Sequence, residues 1–276
     1  MQANAFIASV PIGLVVGSLL TMVIDRVPDD LPVMGRPRCP LCEHRLRSSE
    51  LVPVLSWLRQ RGRCTHCHEH LTAAYPLVEL LTAASFALAA ARFHTWWVVV
   101  PFWLFFAMLV AVSTVDLFRY RIPDRLVFPT LAVGLAAIVV VSQHFDLPSA
   151  IAHAVIGALL FSGVLFLLSI LPGGGMGFGD VKLALVLGLF LGWLSADVNG
   201  VVVLVFAALM LGSVLGAVMG LVVGFLRVKT QREILPDPDR DAGELLALPW
   251  TKQPFPFGPS LAIATMTAVL LSNQLT

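Results

Sequence analysis

Charge is scarce in this sequence. Of its 276 residues, 13% are Asp, Glu, Lys or Arg, about half the share found in soluble domains. The centres of its long apolar runs carry neither acidic nor basic residues. With 58% hydrophobic residues and a mean hydropathy of +0.87, the composition excludes a chain built mainly of water-soluble domains. The strict apolar/polar alternation of a membrane barrel is also missing. The apolar runs are continuous, which leaves helices as the spanning elements. No internal repeat of useful period is present. No basic residue precedes the first apolar run, and no small-residue cleavage site with a polar region follows it, so that run is expected to be retained as a span. Cysteine is confined to four positions between Cys39 and Cys67.

What is present is a series of spans. A hydrocarbon core about 30 Å thick takes roughly 20 apolar residues in a helix. Eight runs answer that description, at residues 5–24, 75–91, 96–115, 126–141, 150–171, 181–194, 200–226 and 259–275. The expected fold class is therefore an all-α integral membrane protein of about eight transmembrane helices. The 18 Lys and Arg residues fall in one set of loops, Arg92 alone excepted. Such an excess marks the cytoplasmic side. Both termini are then expected outside, with two long cytoplasmic segments at residues 25–72 and 227–258. The second is rich in Pro and acidic residues and reads as a solvated linker. Gly212, Gly216 and Gly220 share one face of the seventh span and suit close helix packing.

Cys39-Pro-Leu-Cys42 and Cys64-Thr-His-Cys67 are two C-x2-C pairs separated by 21 residues. Each pair turns two thiolates toward one point, and together they supply four soft ligands for a tetrahedral Zn²⁺. Two disulfides and a redox dithiol are the competing readings, and a reducing cytoplasmic loop argues against the first. Four thiolates close the coordination shell, so such a metal folds the loop and does no chemistry. His44, His66, His68 and His70 then read as surface residues.

Ionisable groups in or beside spans are functional candidates by default. Asp116 closes the third span and Asp180 opens the sixth, in Gly177-Phe178-Gly179-Asp180-Val181-Lys182. Both lie at the same side, so they are candidates for one site. Two carboxyl groups in a partly dry site cannot both ionise cheaply, and a pair sharing one proton is the arrangement of an aspartic protease. The competing reading pairs them with Arg119 or Lys182 at the interface. Glycines 173, 174, 175, 177 and 179 suggest a tightly bent backbone before Asp180. Asp124 reads as an N-terminal cap of the fourth span, Asp25 as a boundary ion pair with Arg26, and Glu79 as a structural partner of the loop arginines or part of a second site.

Several motifs in order then resemble one family, the prepilin peptidases. They are Gly17-Ser18-Leu19-Leu20 through Arg26-Val27-Pro28 (with Thr21 where the family usually has Asn), the four cysteines, and Leu51-Val52-Pro53-Val54-Leu55-Ser56-Trp57-Leu58 between them. Tyr75-Pro76-Leu77-Val78-Glu79-Leu80, Asp116 with Ile122-Pro123-Asp124, Gly175 to Leu183, and Pro256-Phe257-Gly258-Pro259 complete the set. The resemblance implies an aspartic endopeptidase of the bacterial inner membrane, with Asp116 and Asp180 catalytic at the cytoplasmic face. It would remove the basic leader of type IV prepilins and type II secretion pseudopilins at a Gly–Phe type junction. It also implies S-adenosylmethionine-dependent N-methylation of the new N-terminus, associated with the cysteine-bearing region. Residues 1–95 would form that region, 96–226 the peptidase core, 227–258 a linker and 259–276 the last span. The expected partners are the substrates and the lipid bilayer, not nucleic acid. The alternatives are a non-catalytic pilus-assembly scaffold and a transporter with a zinc-stabilised loop. Carboxylates at one edge and none at mid-bilayer argue against a conduction path.

Overall fold

The computed structural model describes residues 2–33, 35–39, 41–171, 176–230 and 256–272. Every predicted span is a helix. In chain order they are α1 (Gln2–Arg26), α3 (Ala74–Arg92), α4 (Trp96–Arg119), α5 (Asp124–His144), α6 (Pro148–Ile170), α7 (Phe178–Trp193), α8 (Val198–Thr230) and α9 (Gly258–Leu271). A 3₁₀ turn at Ser48–Glu50 and a short helix α2 (Leu55–Arg59) lie in the loop between α1 and α3. Six helices (α1, α3, α4, α5, α6 and α8) are long and apolar enough to cross a membrane. The other two are shorter. At 1.5 Å per residue, the 16 residues of α7 and the 14 of α9 reach about 24 and 21 Å, less than a hydrocarbon core. The acidic linker predicted at 227–258 falls largely on residues 231–255, outside the described residues.

The chain forms two compact units, Met1–Ala111 and Val112–Thr276. In the first, α1 packs on α3 through small residues. A Cβ added at Gly13 would lie 2.5 Å from Ala83 Cα, and one at Gly17 would lie 2.6 Å from Glu79 Cα, so the two backbones approach too closely for any larger side chain. Trp103 of α4 stacks on Phe86 of α3 at 4.9 Å and donates its indole N–H to the Phe86 carbonyl at 3.0 Å, so the buried polar edge of the ring is satisfied. Glu79 is buried at 7% exposure. Its carboxylate pairs with no loop arginine; Oε2 accepts the backbone N–H of Val54 at 2.6 Å, and Ser18 of α1 hydrogen-bonds it as well. Val54 precedes α2 with φ +59° and ψ −49°, a positive φ costly for a β-branched residue, at the centre of a turn closed by the Leu55 N–H on the Pro53 carbonyl and tied to Glu79. Asp25 accepts the Tyr75 hydroxyl at 2.9 Å, and the Arg26 guanidinium donates to the carbonyls of Pro32, Val33 and Arg36.

In the second unit α7 is apolar beyond its first turns and largely buried there, with Leu183, Leu187, Phe190 and Leu191 fully enclosed. Side-chain hydrogen bonds seat it: Ser162 of α6 donates to the Val181 carbonyl at 3.0 Å, and the Trp193 indole donates to Ser142 of α5 at 3.1 Å. Gly212 and Gly216 of α8 face α9, against Leu261 and Phe257. Outward faces are apolar: Leu159, Leu167, Val203 and Met210 are exposed, as lipid-facing residues are.

Replacing Glu79 by Ala leaves the part-buried Val54 N–H without its partner. The expected loss is about 1–3 kcal/mol, read as a lower midpoint of thermal unfolding in detergent. Glu79→Gln retains an acceptor oxygen and should lose less. Equal stability of Glu79→Ala and the native chain would show that the bond does not hold the loop.

Candidate active site and metal centre

The two candidate carboxylates are brought together in the second unit. Asp116 occupies the last turn of α4 and Asp180 the first turn of α7. Both are buried, at 5% and 8% exposure, and Asp180 lies close enough to Asp116 to feel its charge. A third element joins them. Gly258, the first residue of α9, donates its backbone N–H to Asp116 Oδ2 at 2.8 Å. Asp180 Oδ1 is buried with no hydrogen-bond partner among the described residues. An arrangement of two enclosed carboxyl groups, one anchored and one with an oxygen unengaged, suits general acid–base work on a water and a carbonyl.

The neighbours differ from expectation in two respects. Lys182 does not pair with Asp180; its ammonium binds both oxygens of Asp124 at 2.8 and 2.9 Å and lies over the Phe128 and Phe178 rings. Asp124 correspondingly makes no cap. It is the first residue of α5, Pro123 takes the capping position, and the carboxylate turns to Lys182 instead. The bend before Asp180 needs no special backbone at Gly177, whose φ of −69° and ψ of 141° suit any residue. Glycines 173 to 175 lie outside the described residues.

In the first unit the four cysteines converge. The Sγ atoms of Cys39, Cys42, Cys64 and Cys67 all lie within 4.8 Å of one another, and Cys42 Sγ is 4.0 Å from Cys64 Sγ. All four thiols are free. A tetrahedron with Zn–S near 2.3 Å has edges of about 3.8 Å, so the residues fit a metal of that kind. The geometry arises from two matching turns. Cys39 N–H donates to the His44 carbonyl, and Glu43 N–H returns to the Cys39 carbonyl; Cys64 N–H donates to Glu69, and His68 N–H returns to Cys64. Glu43 and His68, each just after the second cysteine of its pair, adopt φ of +55° and +58°. Isolated bridges, Arg38 to Arg45 and Arg63 to His70, close each turn. Glu50 ties the 3₁₀ turn to the second pair. It accepts the Arg47 N–H and the Thr65 hydroxyl, and these bonds hold its carboxyl below the usual range. His44 stacks on His66 at 4.5 Å, and no histidine belongs to the ligand group among the described residues.

Gly258 stands in the Pro256-Phe257-Gly258-Pro259 motif, and side-chain chemistry gives it no role there. A glycine between an aromatic residue and a proline before the last span was the available signal, but the partner of a backbone N–H leaves no mark in side-chain chemistry.

Comparison with known proteins agrees with this architecture. Residues 12–93 match the family described as Bacterial Peptidase A24 N-terminal domain, and residues 103–225 match the Type IV leader peptidase family. The chain is 31% identical over 290 residues to a prepilin leader peptidase/N-methyltransferase of Aeromonas salmonicida, covering 95% of this chain and 89% of that one. It is 30% identical over 299 residues to the protein of the same name from Pseudomonas aeruginosa, covering 98% and 91%. A Burkholderia pseudomallei protein of that name is 35% identical over 212 residues, covering 67% and 68%. No solved structure was found to match the chain. On these matches, which cover most of its length, the chain belongs to the bacterial A24 peptidases, the prepilin leader peptidase/N-methyltransferase family.

Proposed function

We propose that Asp116 and Asp180 are the catalytic pair of an endopeptidase that removes the basic leader from type IV prepilins and type II secretion pseudopilins at a Gly–Phe type junction. The observation that carries this reading is the burial of the two carboxyl groups at neighbouring helix ends, within reach of each other's charge. One carboxylate takes a proton from water as the water oxygen attacks the scissile carbonyl carbon. The other, protonated, gives its proton to the carbonyl oxygen. The tetrahedral diol collapses when the first carboxyl protonates the leaving nitrogen and the second recovers a proton from a diol hydroxyl, so the C–N bond breaks and both groups return to their starting state.

The chain is read as lying in the bacterial inner membrane, with this end of α4 and α7 at the cytoplasmic face and both termini outside. The loop placement of Lys and Arg supports that orientation. A substrate whose apolar helix lies in the bilayer and whose basic leader lies in the cytoplasm would then meet the pair at its junction. The cysteine group would hold a structural Zn²⁺, which when bound fixes the loop and offers no open position for water. Residues 1–95 are assigned to N-methylation of the new N-terminus with S-adenosylmethionine as donor, a reading that rests on the name of the relatives. Residues 96–226 are assigned to the peptidase, 227–258 to a linker and 259–276 to the last span.

Purified protein is incubated with a full-length prepilin in lipid, and the product is weighed by mass spectrometry. Asp116→Asn and Asp180→Asn should each slow leader removal by on the order of 10²–10⁴-fold or more, and a methyl mass should appear on the native product when S-adenosylmethionine is supplied. Full cleavage by either variant would remove that residue from the pair. Metal analysis should find one zinc per chain, and Cys64→Ser should lower the zinc content and open residues 39–67 to proteolysis. A native chain that carries no zinc and keeps a protease-resistant loop would overturn the metal reading.

A further inference from the structure

Resting on the catalytic reading of Asp116 and Asp180, we infer that Gly258 is a positioning residue whose backbone amide holds Asp116 as the charged, water-activating member of the pair and leaves Asp180 to carry the proton. The first turn of α9 is built to present that one amide. Pro259 follows and has no N–H. Ser260 and Leu261 direct theirs to the Phe257 carbonyl at 3.1 and 3.2 Å. Gly258 is thus the donor left over at the helix start, and it points to Asp116 Oδ2 at 2.8 Å.

The side chain is absent for a spatial reason. A Cβ at Gly258 would stand 2.8 Å from Asp116 Oδ2, 3.4 Å from its Cγ and 3.5 Å from its Cβ. All three are atoms of the Asp116 side chain. A larger residue would therefore displace the carboxyl group while leaving the helix backbone free to stay.

Helix dipoles do not favour charge on Asp116: it lies in the last turn of α4 as well as against the start of α9, whereas Asp180 lies within the first turn of α7. Backbone help reaches both as well, for Gly177 approaches the Asp180 carboxyl at its Oδ2. What favours charge on Asp116 is the remaining oxygen. Among the described residues Asp180 Oδ1 is buried and unpartnered, and neither oxygen of Asp116 is in that condition. An orphaned oxygen is far more costly on a carboxylate than on a neutral acid. The neutral form also supplies the O–H that the scissile carbonyl requires.

Two measurements test this. In the first, cleavage kinetics are compared for the native chain, Gly258→Ala and Gly212→Ala. Gly212 of α8 faces Leu261 and Ala264 of α9, and no atom of Asp116 is among its nearest neighbours. Gly258→Ala should lower kcat by about 100-fold with KM held within about two-fold, while Gly212→Ala keeps native kcat. Native kcat in a folded Gly258→Ala, or an equal loss in Gly212→Ala, overturns the positioning role. In the second, infrared spectra of the full-length protein are searched for the carbonyl stretch of a protonated carboxyl. The band should vanish in Asp180→Asn and persist in Asp116→Asn. No band in the native protein, or a band lost in Asp116→Asn, overturns the division of roles and does not require Gly258→Ala to fold. If both Asn variants cleave normally, the catalytic pair itself fails; if they are inactive and Gly258→Ala is not impaired, only the present inference fails.

Discussion

A carboxyl group taken out of water must find hydrogen bonds, a cation or a proton, and this requirement organises both units of the protein. Glu79 meets it with the Val54 amide and Ser18, and Asp116 with the Gly258 amide, while the exposed Asp124 pairs with Lys182. Each solution fixes a piece of backbone. The Glu79 bond ties down the start of α2, where Val54 takes a positive φ. The Lys182 bond ties the start of α5 to the start of α7. The Asp116 bond ties the end of α4 to the start of α9. Buried polar groups that fix geometry in this way contribute more to a single arrangement than to net stability.

The Lys182–Asp124 pair bears on the site through what it withholds. A lysine two residues after Asp180 in sequence is the obvious counter-ion for it, and pairing there would hold Asp180 charged. On a helix, neighbours two apart point to different faces. Asp180 faces inward and Lys182 reaches outward over two aromatic rings to Asp124. The exposed pair is worth little in stability. Its consequence is that the lysine nearest to Asp180 in sequence is already engaged with Asp124.

The legible part of this protein was the part written in side chains. Continuous apolar runs gave the helices, because hydrocarbon leaves no other use for them. The C-x2-C spacing gave the cysteine cluster, because two matching turns each deliver a pair of thiols. Asp116 and Asp180 stood out because charge beside a span is costly. Backbone partners were not legible. Val54 is 25 residues from Glu79, and Gly258 is 142 from Asp116. In both bonds the donor is an amide N–H, which every residue but proline carries, so the sequence marks neither. The cap assigned to Asp124 failed for a related reason: a local rule was applied to a carboxylate that had a stronger partner on another helix.

The two shortest membrane helices, α7 and α9, both begin at the carboxyl groups. Their lengths fall several Å short of a hydrocarbon core, and a bilayer answers such a shortfall by thinning, or the helix start lies below the surface and is reached by water. Either response brings solvent to the start of α7 and α9 while the fully apolar remainder of α7 stays dry. With Asp116 and Asp180 as the proposed catalytic pair, hydrolysis needs that combination, since water is a reactant and a low dielectric strengthens every hydrogen bond to the reacting atoms. Long helices around a polar centre at mid-bilayer would suit conduction; short helices starting at an edge suit a reaction on a chain that is half in lipid and half in water.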